Sequence, residues 1–467
     1  MQATASSVEA ACARGKFRCD GEVRHLSRAS FLRGCSAALG LVANVAVSAE
    51  RPETAQAMAL AREGAAAAEA DDKAGYLAKM EAAVALRGDF PYLLEHLAAA
   101  QLAHDRAEDA IATLEKLAAL GAYLPVERAP EYAALRGRKE FTAVAKKFAT
   151  NLYPKGEGEI AFSLPEMTGI LEGIAWREKT GEFFFGDPHH RCVWVRTPIA
   201  QGSRATAGQV RRFTAENAGL WGVFGLVVDE ERGVLWAATS AVPAMAGYSA
   251  QDEGTAGLAE IDLVTGEVRR VIPLVPKPGS RYSSVLGDLA LARDGTVYLP
   301  DSGGPMVWRL SPGAGALELV AESAEFLSLQ GAVVASDGSS LFLADQANGL
   351  WRLDLNSNAV HRLESPPQTT LVGIDGLVRA GNGDLIAIQS WSRPSRVLRL
   401  VLAPGGEAIA AVTVLEAAHL TMAAPALGCL GPGENLFFVG HAGWSNFDGA
   451  GASSTRPRPV PVFRTKR

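Results

Sequence analysis

Two kinds of hydrophobic pattern divide this chain. From about residue 52 to 148, Ala and Leu recur with helical spacing, as in "LLEHLAAAQLAHDRAEDAIATLEKLAALG". After "NLYPKGEGEI" the pattern changes to short β-branched and aromatic runs separated by Gly, Asp and Pro turns. The pattern therefore predicts a helical region followed by an all-β domain.

The helical region is expected to be a small stack of helical hairpins. Breaks fall near Gly88 and Gly121, and the small residues Ala98, Ala99 and Ala110 lie where two helices must approach closely. The region resembles tetratricopeptide repeats, which implies a concave surface that holds a peptide or a neighbouring domain. A helical cap that only packs on the second domain is the other interpretation, and the sequence leaves both open.

One pattern returns six times in the β-rich region: a small or acidic residue, an apolar triplet, a turn with Asp or Gly, and an apolar strand. The copies are anchored on Gly173, Gly225, Asp288, Gly331, Gly376 and Gly428. Their intervals, roughly 43 to 63 residues, fit one four-stranded propeller blade each. We therefore predict a mainly β fold: a six-bladed β-propeller over residues 151–467, preceded by a small α-helical, tetratricopeptide-like domain over residues 50–150. The segment "PVPVF" near the end is expected to form the last strand.

The first strand of each copy is predicted to be innermost, so the residue before it lies at one end of an axial channel. These positions are Glu172, Phe224, Gly287, Gln330, Asp375 and Leu427. A carboxylate between Ile374 and Gly376 is costly to desolvate unless something pairs with it. Asp375 therefore marks a candidate site in the channel.

From about residue 160 the chain resembles the gluconolactonase and senescence-marker-protein family of six-bladed propellers. The resemblance lies in the blade rhythm, in "LEG" at 171–173 and in "IDGLV" at 374–378. In that family a Glu, an Asn and an Asp before inner strands bind one divalent cation, often calcium. Carried over by position, the resemblance implies Glu172, Gln330 and Asp375 as metal ligands, with Gln330 in place of the Asn. Gly287 stands where the family has a further Asn, and Asp288 beside it offers a partial replacement.

The chemistry of such a site follows from its oxygen atoms. Two carboxylates in a narrow channel raise each other's pKa unless a cation lies between them. Ca²⁺ takes about six to eight oxygen ligands, which leaves positions for water and substrate. Asp375 or Asp288 is the candidate base, and His189 and Gln330 are candidate substrate contacts. The alternatives are that Glu172 and Asp375 only accept hydrogen bonds from backbone amides, and that His189 is a surface residue.

Other residues near strand ends are expected to be structural. Asp301 and Asp345 recur after the second strand of their blades and are predicted to cap turns. Trp444 and Phe447 are predicted to cover the core, and walls of a ligand pocket are the alternative. Two functional hypotheses remain: an exported metal-dependent hydrolase of a small lactone or ester, and a non-catalytic ligand-binding or scaffold protein that recruits a partner through its helical repeats.

Charge and the first residues bear on partners and location. The net charge of −6, with no block of Lys or Arg, argues against a nucleic-acid partner. Residues 1–49 are predicted to be an export leader, because Arg24, Arg28 and Arg33 precede an apolar run too short to span a bilayer. "SRASFLR" resembles the twin-arginine export motif, with Ala29 in place of the second arginine. A periplasmic or secreted protein without a membrane span is therefore expected. Its remaining cysteines, Cys192 and Cys429, are expected to be free thiols.

Overall fold

The computed structural model describes residues 52–167, 169–198, 208–447 and 458–466. The predicted leader, residues 1–49, lies outside the described residues. Helices precede the propeller at residues 53–151, and strands dominate the rest, which confirms the predicted mainly β fold class. No helix in the described part of the chain is both long enough and apolar enough to cross a membrane.

Within the described residues, five α-helices lie before β1. They are α1 (Glu53–Glu69), α2 (Lys73–Leu86), α3 (Pro91–Ala103), α4 (Ala107–Ala119) and α5 (Lys139–Asn151). Asp72 begins α2, because its side chain accepts a 2.8 Å hydrogen bond from the Gly75 amide. Consecutive helices pack on one another around a core that includes Leu94, Leu114 and Phe148. We refer to residues 53–151 as the helical domain.

Six four-stranded antiparallel sheets follow, one for each predicted blade. The strands are β1 (Glu159–Met167), β2 (Ile174–Arg177), β3 (Glu182–Asp187), β4 (Cys192–Arg196), β5 (Val210–Arg212), β6 (Gly222–Asp229), β7 (Val234–Ser240), β8 (Ala256–Asp262), β9 (Val268–Pro273), β10 (Ala290–Leu291), β11 (Val297–Pro300), β12 (Met306–Leu310), β13 (Glu318–Glu322), β14 (Leu329–Val334), β15 (Ser340–Asp345), β16 (Gly349–Asp354), β17 (Val360–Leu363), β18 (Gly376–Arg379), β19 (Leu385–Gln389), β20 (Arg396–Leu402), β21 (Ile409–Ala417), β22 (Gly428–Leu430), β23 (Leu436–Val439) and β24 (Arg458–Thr465). Blades 1 to 5 each use four consecutive strands, beginning with β2, β6, β10, β14 and β18.

Blade 6 combines strands from both ends of the propeller. Its order from the inside outward is β22, β23, β24 and β1. The "PVPVF" segment forms part of β24, as predicted, and Val462 in that segment pairs with both Val439 and Phe162. Strand β1 therefore closes the ring from its outer side.

The second strand of each blade is the most deeply buried, because the neighbouring blades cover both of its faces. All residues of β7 and β15 are buried, and they read as nearly continuous apolar runs. The first strands contact one another around the axis, which confirms that they are innermost. We call the end of the ring where these first strands begin the upper face. Because β14 and β15 are antiparallel, the turns after the second strands lie on this face too.

The helical domain packs on the upper face of blades 4 and 5. Arg87, only 2% exposed, donates hydrogen bonds to Asp89 in its own domain and, at 2.7 Å, to Asn348 in the turn between β15 and β16. Arg396, 7% exposed, begins β20 and donates a 2.8 Å hydrogen bond to the carbonyl of Leu120, just after α4. Two buried guanidinium groups therefore fix the helices to the propeller.

Candidate active site at the upper end of the channel

The six predicted channel positions form a closed ring, although Phe224 and Gln330 lie inside β6 and β14 rather than before them. At Gly173 an added Cβ would lie 2.1 Å from the carbonyl oxygen of Phe224 in the next blade, so this close approach requires glycine. From the other side, the Leu427 amide donates to the Glu172 carbonyl at 3.2 Å. The six channel positions predicted from the sequence are therefore neighbours in space.

Glu172 is held at this ring by blade 1 and by a tryptophan from blade 6. It is 8% exposed, and its Oε2 accepts a 2.5 Å hydrogen bond from Trp444 Nε1. Burial and the negative charge of Asp375 raise the pKa of Glu172 to about 8, against the opposing effect of the Trp444 hydrogen bond. Without a counter-charge, this carboxyl is protonated at neutral pH.

Asp375 occupies the corresponding position in blade 5. Its amide donates to the Ile388 carbonyl at 2.9 Å, which continues the pairing of β18 with β19. Its Oδ2 accepts a 2.8 Å hydrogen bond from Ser390 Oγ. Burial raises the pKa of Asp375 to about 6, although the hydrogen bond from Ser390 acts in the opposite direction.

Asp288 is the third carboxyl of the group, and it lies just after Gly287, two residues before β10 of blade 3. It is 8% exposed, and its Oδ2 accepts a 3.2 Å hydrogen bond from the Ala332 amide of blade 4. Burial, with a further contribution from Asp375, raises the pKa of Asp288 to about 7, although hydrogen bonds from backbone amides oppose the rise. The negative charge of Asp375 in blade 5 thus raises the pKa values of Glu172 in blade 1 and Asp288 in blade 3, and Asp288 raises that of Glu172 as well.

Gln330 lies in the same ring, in blade 4, and its amide is engaged by two serines. Its Nε2 donates to Ser328 Oγ at 3.0 Å, and its Oε1 accepts from Ser302 Oγ at 3.4 Å. An added Cβ at Gly287 would lie 3.6 Å from that Oε1. Gln330 therefore directs its amide oxygen toward the gap left by the glycine in blade 3.

His189 lies in the turn between β3 and β4, beside aromatic residues of blade 6. Its Nδ1 is 2.6 Å from the Ala244 carbonyl, and its ring centroid is 4.4 Å from that of Phe447. Trp444 stacks on Phe224 with a centroid distance of 6.0 Å. The structure thus places His189 on the upper face, in contact with a loop and an aromatic ring rather than hydrogen-bonded to the carboxyls.

The sequence did not indicate Ser390 as a contact of the site, and it offered Trp444 as core cover or pocket wall without indicating its hydrogen bond to Glu172. Ser390 could have been found from the pairing of β18 with β19. Gly376 lies opposite Ile388, so the residues just after Ile388, Ser390 among them, lie beside Asp375, which precedes Gly376. Trp444 carries no such signal, since 272 residues separate it from Glu172. Only the closed ring brings these two side chains together.

Below the carboxyls the channel is a cavity of about 300 Å³. Its walls are the first strands of the six blades, and most of the lining side chains are apolar, as at Leu226, Val333 and Val378, although the surface open to the cavity is more polar than apolar. Asp288 lines the cavity as well. Burial is the largest cause of the raised pKa values of Glu172, Asp288 and Asp375.

The aspartates at the ends of second strands are structural, as predicted. Asp301 accepts hydrogen bonds from the Val285 and Gly303 amides at 2.9 and 3.0 Å. Asp345 accepts four backbone amide hydrogen bonds, including one of 2.7 Å from Leu327. Both cap turns on the upper face. The two cysteines of the described chain, at 192 and 429, are free thiols, also as predicted.

Comparison with known proteins adds information on the fold. No family model matches the chain, and no curated protein matches its sequence. A luciferin-regenerating enzyme is similar with a TM-score of 0.45 and 14% identity, over 68% of this chain and 96% of that chain. The PQQ-bound aldose sugar dehydrogenase of Streptomyces coelicolor is similar with a TM-score of 0.44 and 12% identity, over 67% of this chain and 99% of that chain. A streptogramin B lyase is similar with a TM-score of 0.41 and 13% identity, over 66% of this chain and 97% of that chain. These likenesses concern the fold alone, and the six sheets themselves establish the six-bladed propeller.

Proposed function

We propose that this protein binds one divalent cation, Ca²⁺ in the first instance, at the upper end of its channel and hydrolyses a small lactone or ester there. The observation that supports the proposal is a group of three carboxyls, the buried Glu172 and Asp288 and the half-buried Asp375, whose pKa values are all raised. Buried carboxyls that repel one another are costly, and a cation between them would remove that cost.

The donor atoms suit a hard cation. Carboxylate and amide oxygens are the ligands that Ca²⁺ prefers, and the three carboxyls and Gln330 offer only oxygen and amide groups. In the described part of the chain, no three His, Cys, Asp or Glu side chains form a group that could hold a metal ion. Glu172 and Asp375 would therefore hold the cation as a pair, with the Gln330 oxygen and water as the remaining ligands. The bound cation would supply polarisation of the substrate carbonyl.

The side chains of the site divide the remaining roles by their pKa values. Asp375, with a pKa of about 6, is ionised at neutral pH and is the proposed base that takes a proton from water. Ser390 orients it through the hydrogen bond to Oδ2. Asp288, with a pKa of about 7, is the second candidate for proton transfer. The aromatic residues Phe224 and Trp444 would exclude water from one side of the substrate.

Location and partners complete the proposal. A periplasmic or secreted location rests on the leader-like residues 1–49 alone. The proposed ligand is a small molecule that enters from the upper face. The alternative function is that of a protein without catalytic activity that binds a peptide partner at its helical domain. The titration described next would favour this alternative if no cation bound.

The test is a calorimetric titration of the full chain with Ca²⁺, Mg²⁺, Mn²⁺ and Zn²⁺, after a chelator has removed any bound metal. Asp375→Asn should abolish binding of one cation per chain. Asp384→Asn is the matched control, because Asp384 is also buried in blade 5 but lies between β18 and β19 at the opposite end, bonded to Arg399 at 2.7 Å. Lack of binding by the unmodified protein, or equal binding by all three proteins, would refute the proposed site. Binding would be followed by hydrolysis assays on a panel of lactones and esters.

A further inference from the structure

We propose that Ser390 is a positioning residue for Asp375 and that the helical domain holds it in place through residues 390–396, which we call the bridging loop. The inference deepens the proposed function of Asp375 and rests on it. It assigns the helical domain a part in the site, although no residue of that domain belongs to the ring of carboxyls.

The bridging loop is bonded to Asp375 and to the segment before it. Ser390 Oγ donates to Asp375 Oδ2 at 2.8 Å, and the Trp391 amide donates to the Gly373 carbonyl at 3.2 Å. The loop is closed on itself by Ser395 Oγ, which donates to the Ser390 carbonyl at 3.2 Å. A shift at the far end of the loop is therefore transmitted to the hydroxyl that holds the carboxylate.

The helical domain forms two hydrogen bonds with the C-terminal half of the bridging loop. The Tyr123 amide donates to the Arg393 carbonyl at 2.7 Å. Arg396 Nη1 donates to the Leu120 carbonyl at 2.8 Å. Both contacts come from the short segment after α4, so this segment and the bridging loop form one hydrogen-bonded unit.

Arg396 also reaches the segment before Asp375 by a second path. Its Nε donates to Gln389 Oε1 at 2.8 Å, and Gln389 Nε2 donates to the carbonyls of Thr370 and Val372 at 3.0 and 2.6 Å. Arg396 and Gln389 are 7% and 0% exposed. Because a buried polar group that loses its partner is costly, the helical segment cannot shift without disturbing these contacts.

Gly121 offers a perturbation from the helical side. Its φ is +79°, and an added Cβ would lie 2.2 Å from Arg396 Nη1, so Gly121→Ala would displace the guanidinium. Gly137→Ala is the matched control: Gly137 has a φ of +91° in the same domain, and no atom lies within 4 Å of the position of its Cβ. Both substitutions strain the backbone alike, but only the first disturbs the bridging loop.

The experiment measures the Ca²⁺ dissociation constant of the full chain by calorimetry in a double-mutant cycle. Ser390→Ala should weaken binding about tenfold, equivalent to about 1.4 kcal/mol, and Ser390→Thr, which keeps the hydroxyl, should restore most of it. Gly121→Ala should weaken binding several-fold and Gly137→Ala should not. In the Ser390→Ala background, Gly121→Ala should have a clearly smaller effect than in the unmodified protein, because only the path through Gln389 remains. Equal effects of the two glycine variants, or additive effects of Gly121→Ala and Ser390→Ala, would overturn the proposal.

Amide hydrogen exchange separates this inference from the proposed function, because it needs no cation. The Asp375 and Trp391 amides, both hydrogen-bonded within blade 5, should exchange at least about tenfold faster in Gly121→Ala than in Gly137→Ala. Faster exchange without cation binding by the unmodified chain would refute the proposed function and support the coupling. Unchanged exchange at both amides would refute the coupling, whatever the cation binding.

Discussion

Replacing Asp288 with asparagine removes one of the two buried carboxyls of the candidate site and keeps the size of the side chain. Burial raises the pKa of this carboxyl from an ordinary value of 3.8 to about 7 in the folded protein. The folded state therefore binds the proton more tightly than the unfolded state. The stability that this group contributes is complete below pH 3.8 and is lost as the pH rises through about 7.

The size of this change in the free energy of unfolding follows from the pH range over which the Asp288 carboxyl is protonated in the folded state and ionised in the unfolded state. Between pH 5 and pH 8 the unmodified protein should lose roughly 3 kcal/mol relative to Asp288→Asn, at about 1.36 kcal/mol for each pH unit below the folded pKa. With an unfolding entropy of about 2.1 cal/mol/K per residue, this corresponds to roughly 3 °C in the melting temperature. The variant should therefore gain stability relative to the unmodified chain as the pH rises.

The assay is thermal unfolding of both proteins at pH 5, 6, 7 and 8 in the presence of a chelator. A second series with Ca²⁺ should stabilise the unmodified protein more at pH 8 than at pH 5, because the cation replaces protons that are already lost at the higher pH. A difference in melting temperature between the two proteins that stays constant from pH 5 to pH 8 would refute the reasoning. It would show that the pKa of the Asp288 carboxyl is not raised in the folded protein.

Two further substitutions test the surroundings of the site. Arg87→Met should destabilise the protein by roughly 3 kcal/mol in urea unfolding, because it removes the ion-pair partner of the half-buried Asp89 and one hydrogen-bond partner of the buried Asn348; a change under 1 kcal/mol would contradict the buried junction. Trp444→Phe removes the indole donor to Glu172, and should weaken Ca²⁺ binding at pH 7 by about fivefold, equivalent to about 1 kcal/mol, in calorimetry. Unchanged affinity would show that the indole does not support the ionised carboxylate.

Much of the propeller could be predicted because its information is local. Each blade repeats an apolar strand, a turn and a second apolar strand, so the rhythm is visible in one sequence. The ring of channel positions followed from the place of the first strands, and glycines such as Gly173 mark where blades approach too closely for a side chain. The presence of helices before the propeller followed from spacing alone, whereas their likeness to tetratricopeptide repeats stays a prediction.

The parts that could not be predicted depend on contacts between distant segments. Strand β1 precedes the first copy of the repeat, and its partner β24 lies at the other end of the propeller, so no local pattern marks the pairing. The contacts of the helical domain with Asn348 and Arg396 likewise join residues 261 and 276 positions apart. The roles of Glu172, Gln330 and Asp375 in metal binding, and of His189 in substrate binding, stay predictions that the proposed titrations address.

The insertion of β24 between β23 and β1 ties the candidate site to closure of the ring. Glu172 of blade 1 accepts its hydrogen bond from Trp444 of blade 6, so this carboxyl meets its partner only when the first and last parts of the propeller have joined. Contacts of such long sequence separation are slow to form. We expect a chain without β24 to keep blades 1 to 5 and to lose the contact of Glu172 with blade 6, so the proposed cation affinity would report whether the ring has closed.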